Sequence, residues 1–115
     1  MAPTQEALEN LRTLLTNKLR EHFGDMIQSF AIANGELSMT IDREVVVPVM
    51  TMLKEDPDFQ FGFLSYMTAV DYAQYNRTPR FEVVWNLLSL TKKHRLRVKA
   101  GVPEEDPTIA SVVGV

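Results

Sequence analysis

The stretch FQFGFLSYMTAVDYAQYNRTPRFEVVWNLLSLTKKHRLRVKAGVP, residues 59–103, decides the fold of this chain. It contains three strand-like runs, at 61–72, 80–90 and 95–102, with no room for a helix between them. In the last run apolar and polar residues alternate, with Leu96, Val98, Ala100 and Val102 set against Arg95, Arg97, Lys99 and Gly101. Such alternation is typical of a strand with one buried face. The stretch therefore predicts three mainly antiparallel strands in succession.

A helix and a hairpin are predicted before this stretch. Thr4 can cap a helix whose apolar stripe consists of Leu8, Leu11, Leu15 and Leu19, with Leu14 and Phe23 beside it, and Gly24 ends it. The pair Asn34-Gly35 is a strong hairpin signal, because a type I′ turn needs positive φ at both central residues. We therefore expect strands at 27–33 and 36–43 on either side of this turn.

A short second helix follows the hairpin. Pro48 is placed to start it, and Asp56-Pro57 ends it because the residue before a proline disfavours the helical conformation. Beyond Val102, Asp106 and Pro107 can start another helix, but residues 108–115 allow only about two turns of it. The predicted fold is a two-layer α+β domain: helix, β-hairpin, helix, three mainly antiparallel strands, and a truncated C-terminal helix. Five strands of antiparallel type are expected in all.

Length and composition limit the possible classes. At 115 residues the chain forms a single α+β domain spanning 1–115. With no cysteine, the disulfide, thiolate-zinc, iron–sulfur and thiol-catalysis classes are excluded. No apolar run approaches the roughly 20 residues that span a bilayer, and the N-terminus lacks the features of a secretory signal, so a cytoplasmic location is expected. A net charge of −3 argues against general nucleic-acid binding.

The candidate interaction site is a stripe of cations on the last strand. Arg95, Arg97 and Lys99 project from one face, which suits docking of an acidic partner or an anionic head group. The alternative is the solvated face of an edge strand, where lysine and arginine discourage aggregation. Asp71, followed by Tyr72 at the end of another strand, is the second candidate for a partner interface. A carboxylate at a strand end more often accepts backbone or arginine hydrogen bonds than performs catalysis.

We find no catalytic, cofactor-binding or metal-binding motif. His22 and His94 are far apart in sequence and neither has a further ligand at metal-binding spacing. Glycine-rich nucleotide motifs and the nucleophile elbow of hydrolases are missing. A single carboxylate such as Asp71 does not provide acid–base chemistry. No catalysis is expected from this chain alone.

The order of the three runs resembles the C subunit of respiratory complex I, the proton-pumping NADH:quinone oxidoreductase. That family typically reads F-x-F-L-x-x-x-T-A-V-D-Y, then R-F-E-V-V-Y-x-L-L-S-L, then R-L-R-V-K-x-x-V-P, and this chain matches at 61–72, 80–90 and 95–103, with Trp85 in place of the tyrosine. The family's acidic and aromatic Trp-x-Glu-Arg-Glu-x-x-Asp helix would begin just after Val115. The chain thus resembles the N-terminal domain alone, and both a native end and an early stop within a longer protein are compatible with that.

The resemblance implies a non-catalytic structural subunit of the peripheral arm, supporting electron transfer from NADH to quinone coupled to proton translocation. It implies that NADH, flavin, iron–sulfur clusters and quinone are held by other subunits, and that this chain binds no cofactor. It further implies packing against the D subunit, which carries the quinone site, on the cytoplasmic side of the inner membrane, with membrane association only through partners.

Two main alternatives remain at the level of sequence, with an independent enzyme behind them. The same module recurs in membrane-bound hydrogenase-type complexes, and the sequence does not separate these from complex I. A free-standing α+β module that binds a small ligand would need a concave apolar cavity with convergent polar groups. An independent enzyme comes third, because no nucleophile, acid–base pair or metal cluster can be assembled from the spacing.

Overall fold

The computed structural model describes residues 4–72 and 79–103 of the chain as two helices and one sheet. The elements in chain order are α1 (Gln5–Phe23), β1 (Ile27–Ala33), β2 (Glu36–Ile41), α2 (Val46–Glu55), β3 (Phe63–Asp71), β4 (Phe81–Ser89) and β5 (His94–Val102). This confirms the predicted α+β fold. The predicted C-terminal helix at 108–115 lies outside the described residues, as does most of the predicted loop at 73–79. No helix in the described ranges is both long and apolar enough to cross a bilayer.

Helix α1 begins and ends at the predicted residues. The Thr4 hydroxyl accepts a hydrogen bond from the backbone N–H of Ala7 at 3.1 Å, which satisfies one of the free amides of the first turn. Gly24 follows the last turn with φ of 57°, a value that glycine adopts without strain. The buried residues of α1 are the predicted Leu8, Leu11, Leu15 and Leu19. Their common face fixes which side of the helix meets the sheet.

The β1–β2 hairpin also follows its sequence signal. Asn34 and Gly35 have φ of 54° and 74°, as a type I′ turn requires. Strand β1 has the predicted bounds, and β2 ends at Ile41, two residues earlier than predicted. There Asp42 accepts a hydrogen bond from the N–H of Glu44 and starts a 3₁₀ turn that leads into α2. Helix α2 begins at Val46, two residues before the predicted start at Pro48, because this 3₁₀ turn continues directly into it, and it ends at Glu55, before Asp56-Pro57, as predicted.

The sheet is mixed, which corrects the prediction of five strands of antiparallel type. The strand order is β1-β2-β5-β4-β3, and β2 pairs with β5 in parallel while every other pair is antiparallel. A short turn forces antiparallel pairing of the strands that it joins, but β2 and β5 are connected through α2 and two further strands. The pairing of β5 with β2 places β5 at the centre of the sheet.

One face of the sheet forms the core. Met39, Val98 and Trp85 lie side by side across β2, β5 and β4 and are at most 1% exposed. They join the leucines of α1 and the buried Val46, Val49 and Leu53 of α2 in one cluster. The opposite face, which we call the open face, carries the side chains of Ser38, Thr40, Arg95, Arg97 and Lys99, and none of these belongs to that cluster.

The loop after α2 is pinned to both layers. Lys18 of α1 forms ion pairs with Asp56, at 3.1 Å, and with Asp58. Its ammonium group also lies 5.6 Å from the ring centre of Phe59, a side chain that is fully buried. These contacts fix the path of the chain from α2 to the start of β3.

Candidate docking surface

The three predicted cations lie at the centre of the open face. Because β5 is the middle strand of five, Arg95, Arg97 and Lys99 cannot serve as the charged face of an edge strand, which was the alternative interpretation. Arg97 lies across from Ser38 and Asn86, and Lys99 across from Thr40 and Val84. We call Arg95, Arg97 and Lys99 the basic stripe.

The members of the basic stripe differ in their partners. Arg97 forms an ion pair with Glu36, with Nη2 and Oε2 3.0 Å apart, and its Nε donates to Oδ1 of Asn86 at 3.1 Å. Arg97 thus joins β2, β5 and β4 across the open face. Arg95 is exposed and Lys99 half-buried, and neither has an ion-pair partner in residues 4–72 and 79–103. These two charges are available to an acidic partner.

Asp71 and Tyr72 lie elsewhere and have internal partners. The Asp71 carboxylate accepts two hydrogen bonds from Arg80, at 2.9 Å from Nε and 3.1 Å from Nη2. The Tyr72 hydroxyl donates to Glu82 at 3.1 Å. The prediction that a strand-end aspartate accepts arginine hydrogen bonds is confirmed. Asp71 and Tyr72 thus link the end of β3 to the start of β4.

The structure does not bring Asp71 close to Arg95. Asp71 lies across from Phe81 and Arg95 across from Leu88, at the two ends of β4. The rise of a strand separates these ends by about 23 Å. A single small contact cannot include both residues, so the predicted interface residues form two separate groups.

A groove lies at the Arg95 end of the sheet, between the β1–β2 turn and the β4–β5 turn. Its volume is about 410 Å³, and the residues that matter here are Glu36, Tyr66, Asn86, Leu88, Leu90 and Arg95. The amide Nδ2 of Asn86 is buried and has no hydrogen-bond acceptor in the described part of the chain. A buried donor without an acceptor costs stability.

His94, the first residue of β5, also lines this groove but serves the fold. Its Nε2 lies 2.9 Å from the carbonyl oxygen of Phe59, which only accepts, so Nε2 is the protonated nitrogen. Its ring stacks on that of Phe61 with 4.6 Å between the ring centres. Burial lowers the pKa of His94, and the hydrogen bond to Phe59 opposes this only in part. In residues 4–72 and 79–103, no group of His, Asp or Glu is placed to hold a metal ion.

The exposed apolar residues of this region were not predicted from the sequence. Leu64, Tyr66, Met67 and Leu90 are 44%, 52%, 59% and 72% exposed. The signal that could have found the three on β3 is the uncharged run of residues 63–70, which covers nearly all of that strand. It reads as an ordinary buried strand until the strand order shows that β3 is at the edge.

Comparison with known proteins gives a consistent result. The chain is similar to the C subunit of NADH-quinone oxidoreductase from Roseiflexus sp. (strain RS-1), with 38% identity over 95% of this chain and 60% of the relative. The protein of the same name from Geobacter sulfurreducens is 42% identical over 90% of this chain and 61% of the relative. That of Maricaulis maris is 44% identical over 70% of this chain and 40% of the relative.

The chain thus spans about three-fifths of the length of the first two relatives. A family model described as "Respiratory-chain NADH dehydrogenase, 30 Kd subunit" matches residues 39–115, which include β2 from Met39 onwards, α2 and the strands β3, β4 and β5. The match covers more than half of the chain and includes the basic stripe. This chain belongs to the family of the 30 Kd subunit of respiratory-chain NADH dehydrogenase.

Proposed function

We propose that this chain is a non-catalytic structural subunit of the peripheral arm of a membrane-associated NADH:quinone oxidoreductase. It supports electron transfer from NADH to quinone, coupled to proton translocation, by holding other subunits in place. NADH, flavin, iron–sulfur clusters and quinone are bound by those other subunits. The D subunit, which carries the quinone site, is the principal partner, and the complex holds this chain at the cytoplasmic side of the inner membrane.

The observation that carries the proposal is the position of the basic stripe. Arg95 and Lys99 lie on the middle strand of a five-stranded sheet, on the face opposite α1 and α2, without an ion-pair partner in the described residues. Charges placed at the centre of such a face suit a large complementary surface better than a small ligand. Family membership supplies the complex in which that surface is used.

The two alternatives have less support. The relatives from Roseiflexus, Geobacter and Maricaulis are all named as the C subunit of NADH-quinone oxidoreductase, which favours that complex over a hydrogenase-type one. A ligand-binding module would use the groove near Asn86, which has the volume of a small-molecule site. The groove is open between two turns and lined by cations, so a peptide segment of a partner suits it better.

The experiment uses the tagged chain as bait for solubilised membranes of the source organism, with mass spectrometry of the captured proteins. The test variant combines Arg95→Glu and Lys99→Glu and leaves Arg97 in place, because Arg97 holds Glu36 and Asn86. The control variant combines Arg12→Glu and Lys54→Glu on the exposed surfaces of the helices, with the same change in net charge.

We expect the wild-type chain and the control to capture the flavin, iron–sulfur and quinone-site subunits, and the test variant to capture much less of them. Equal capture by all three chains would show that the basic stripe is not the docking surface. Capture of hydrogenase subunits in place of the flavin subunit would move the proposal to the hydrogenase-type complex.

A further inference from the structure

The exposed apolar residues concentrate at one corner of the molecule. Among the described residues, Met26, Leu64, Tyr66, Met67 and Leu90 are the large hydrophobic side chains that are exposed. Three of them are on β3, and Leu90 directly follows β4. Leu64 lies across from Leu87, near the end of β4, so Leu90 and β3 belong to the same corner. Apolar patches of this kind mark interaction sites when polar residues surround them.

In the described part of the chain, strand β3 is also a free edge. It is the outermost strand of the sheet, next to β4, and residues 63–70 contain no charge, proline or glycine. Its pairing with β4 is irregular between Leu64 and Tyr66 and regular from Tyr66 to Asp71. Natural proteins usually protect such an edge with charges, prolines or a covering element, because its free N–H and C=O groups attract another strand.

The opposite edge of the same sheet shows this protection. Arg20 of α1 donates to the carbonyl oxygens of Ile27 and Gln28 on β1, from Nε and Nη2 and at 3.3 Å in both cases. Its guanidinium group also lies over the ring of Phe30, 5.8 Å from the centre. One edge is therefore occupied by a side chain of this chain, whereas no side chain among the described residues makes a comparable contact with β3.

The charges around β3 indicate what fits there. Asp71, the acidic residue at the C-terminal end of β3, forms an ion pair with Arg80. At the other end the exposed Lys93 and Arg95 have no ion-pair partner among the described residues, and Arg95, Leu88 and Phe63 lie in one row across the sheet. A segment that complements this edge would carry apolar side chains where it runs along β3. It would carry acidic side chains where it extends past Phe63, toward Lys93 and Arg95.

We propose that an extended segment of a partner subunit pairs with the free edge of β3 as a sixth strand of the sheet. Its apolar side chains cover Leu64, Tyr66 and Met67, and its acidic end faces Lys93 and Arg95. Main-chain hydrogen bonds provide affinity in strand addition of this kind, and alternate side chains provide specificity. The inference rests on the proposed function for the identity of the complex, but it places the contact along β3 and shares only Arg95 with the basic stripe.

The test places a charge on the edge and compares it with a matched control. Thr68→Lys on β3 and Ser29→Lys on β1 both change an exposed position, and both positions belong to the cross-strand row Ser29, Thr40, Lys99, Val84 and Thr68. Each new lysine is thus two strands away from Lys99. Circular dichroism verifies that both variants fold.

We expect Thr68→Lys to reduce capture of the complex subunits at least about tenfold, because a lysine enclosed by a pairing strand loses its hydration. Ser29→Lys should capture as much as the wild type. Amide hydrogen exchange across 63–71 should slow in the captured complex, which a contact through side chains alone would not cause. Equal capture by all three chains would overturn the inference and leave the proposed function intact.

Capture of no complex subunit even by the wild type would count against the proposed function, and sedimentation velocity of the purified chains then decides. If the wild type self-associates and Thr68→Lys does not, a second copy occupies the edge, and the assignment to a partner subunit is wrong. If the wild type stays monomeric at every concentration, neither a complex subunit nor a second copy binds β3, and the inference is overturned together with the proposed function.

Discussion

Arg97 differs in role from Arg95 and Lys99, although the three share one strand face. Alternation along residues 95–102 was enough to predict that they point the same way. It could not predict that Glu36 and Asn86 bind Arg97, because that depends on which strands flank β5. At the scale of single residues, then, the sequence predicts direction, and strand neighbours decide which charges remain available.

His94 should make stability depend on pH. Since burial lowers its pKa below the ordinary value of 6.5, the unfolded chain takes up a proton at a higher pH than the folded chain does. The stabilisation that neutral His94 gives the folded state is therefore complete above pH 6.5. It is lost as the pH falls through the lowered pKa of His94. We expect the free energy of unfolding, measured with urea, to fall from about pH 7.5 to about pH 5.

His94→Gln should flatten this dependence, because glutamine can donate to the Phe59 carbonyl oxygen at every pH. His22→Gln, at an exposed position, serves as the matched control for the effect of a histidine-to-glutamine change itself. Parallel curves for the wild type and His94→Gln would show that another group controls the dependence.

Between elements, the contacts of Lys18 join α1 to the loop after α2. Hydrogen bonds from Lys18 lower the pKa of Asp58, and those to Asp58 and Asp56 raise the pKa of Lys18. The contribution of the Asp58 carboxylate is therefore present above its ordinary value of 3.8 and disappears as the pH falls through the lowered pKa. The contribution of Lys18 is lost only as the pH rises above 10.5.

Asp58→Asn should therefore lower the unfolding midpoint in urea at neutral pH, and the difference from the wild type should vanish as the pH falls below the lowered pKa of Asp58. Asp25→Asn, an exposed site without an ion pair to the described residues, is the control. A difference that persists in acid would mean that the variant damages the loop and not the ion pair.

Elements with local signals were predictable, and their arrangement was not. Each of these signals lies within a short segment: the leucine stripe predicts α1, the Asn34-Gly35 turn predicts the hairpin, and Asp56-Pro57 predicts the end of α2. The parallel pairing of β2 with β5 depends on contacts between distant segments, so no short pattern encodes it. Both the central position of the basic stripe and the exposed edge of β3 follow from this pairing.

For the whole molecule, one core spans both helices and four strands. Trp85 is the sole tryptophan of the chain and is 1% exposed within that core. We expect its fluorescence and the far-ultraviolet circular dichroism to change at the same urea concentration, as they do when a small domain unfolds in one step. A fluorescence change at lower urea would show that the β4 region separates from the rest before the helices unfold.

The parallel contact of β2 with β5 has a consequence for how the chain folds. The β1–β2 hairpin and the three strands β3, β4 and β5 each form between near neighbours in sequence, whereas Ser38 and Arg97 must close a loop of about sixty residues. Distant contacts of this kind slow folding. We therefore expect the two sequence-local half-sheets to meet in a late docking step, whose speed would set how long their apolar surfaces remain exposed to misassembly.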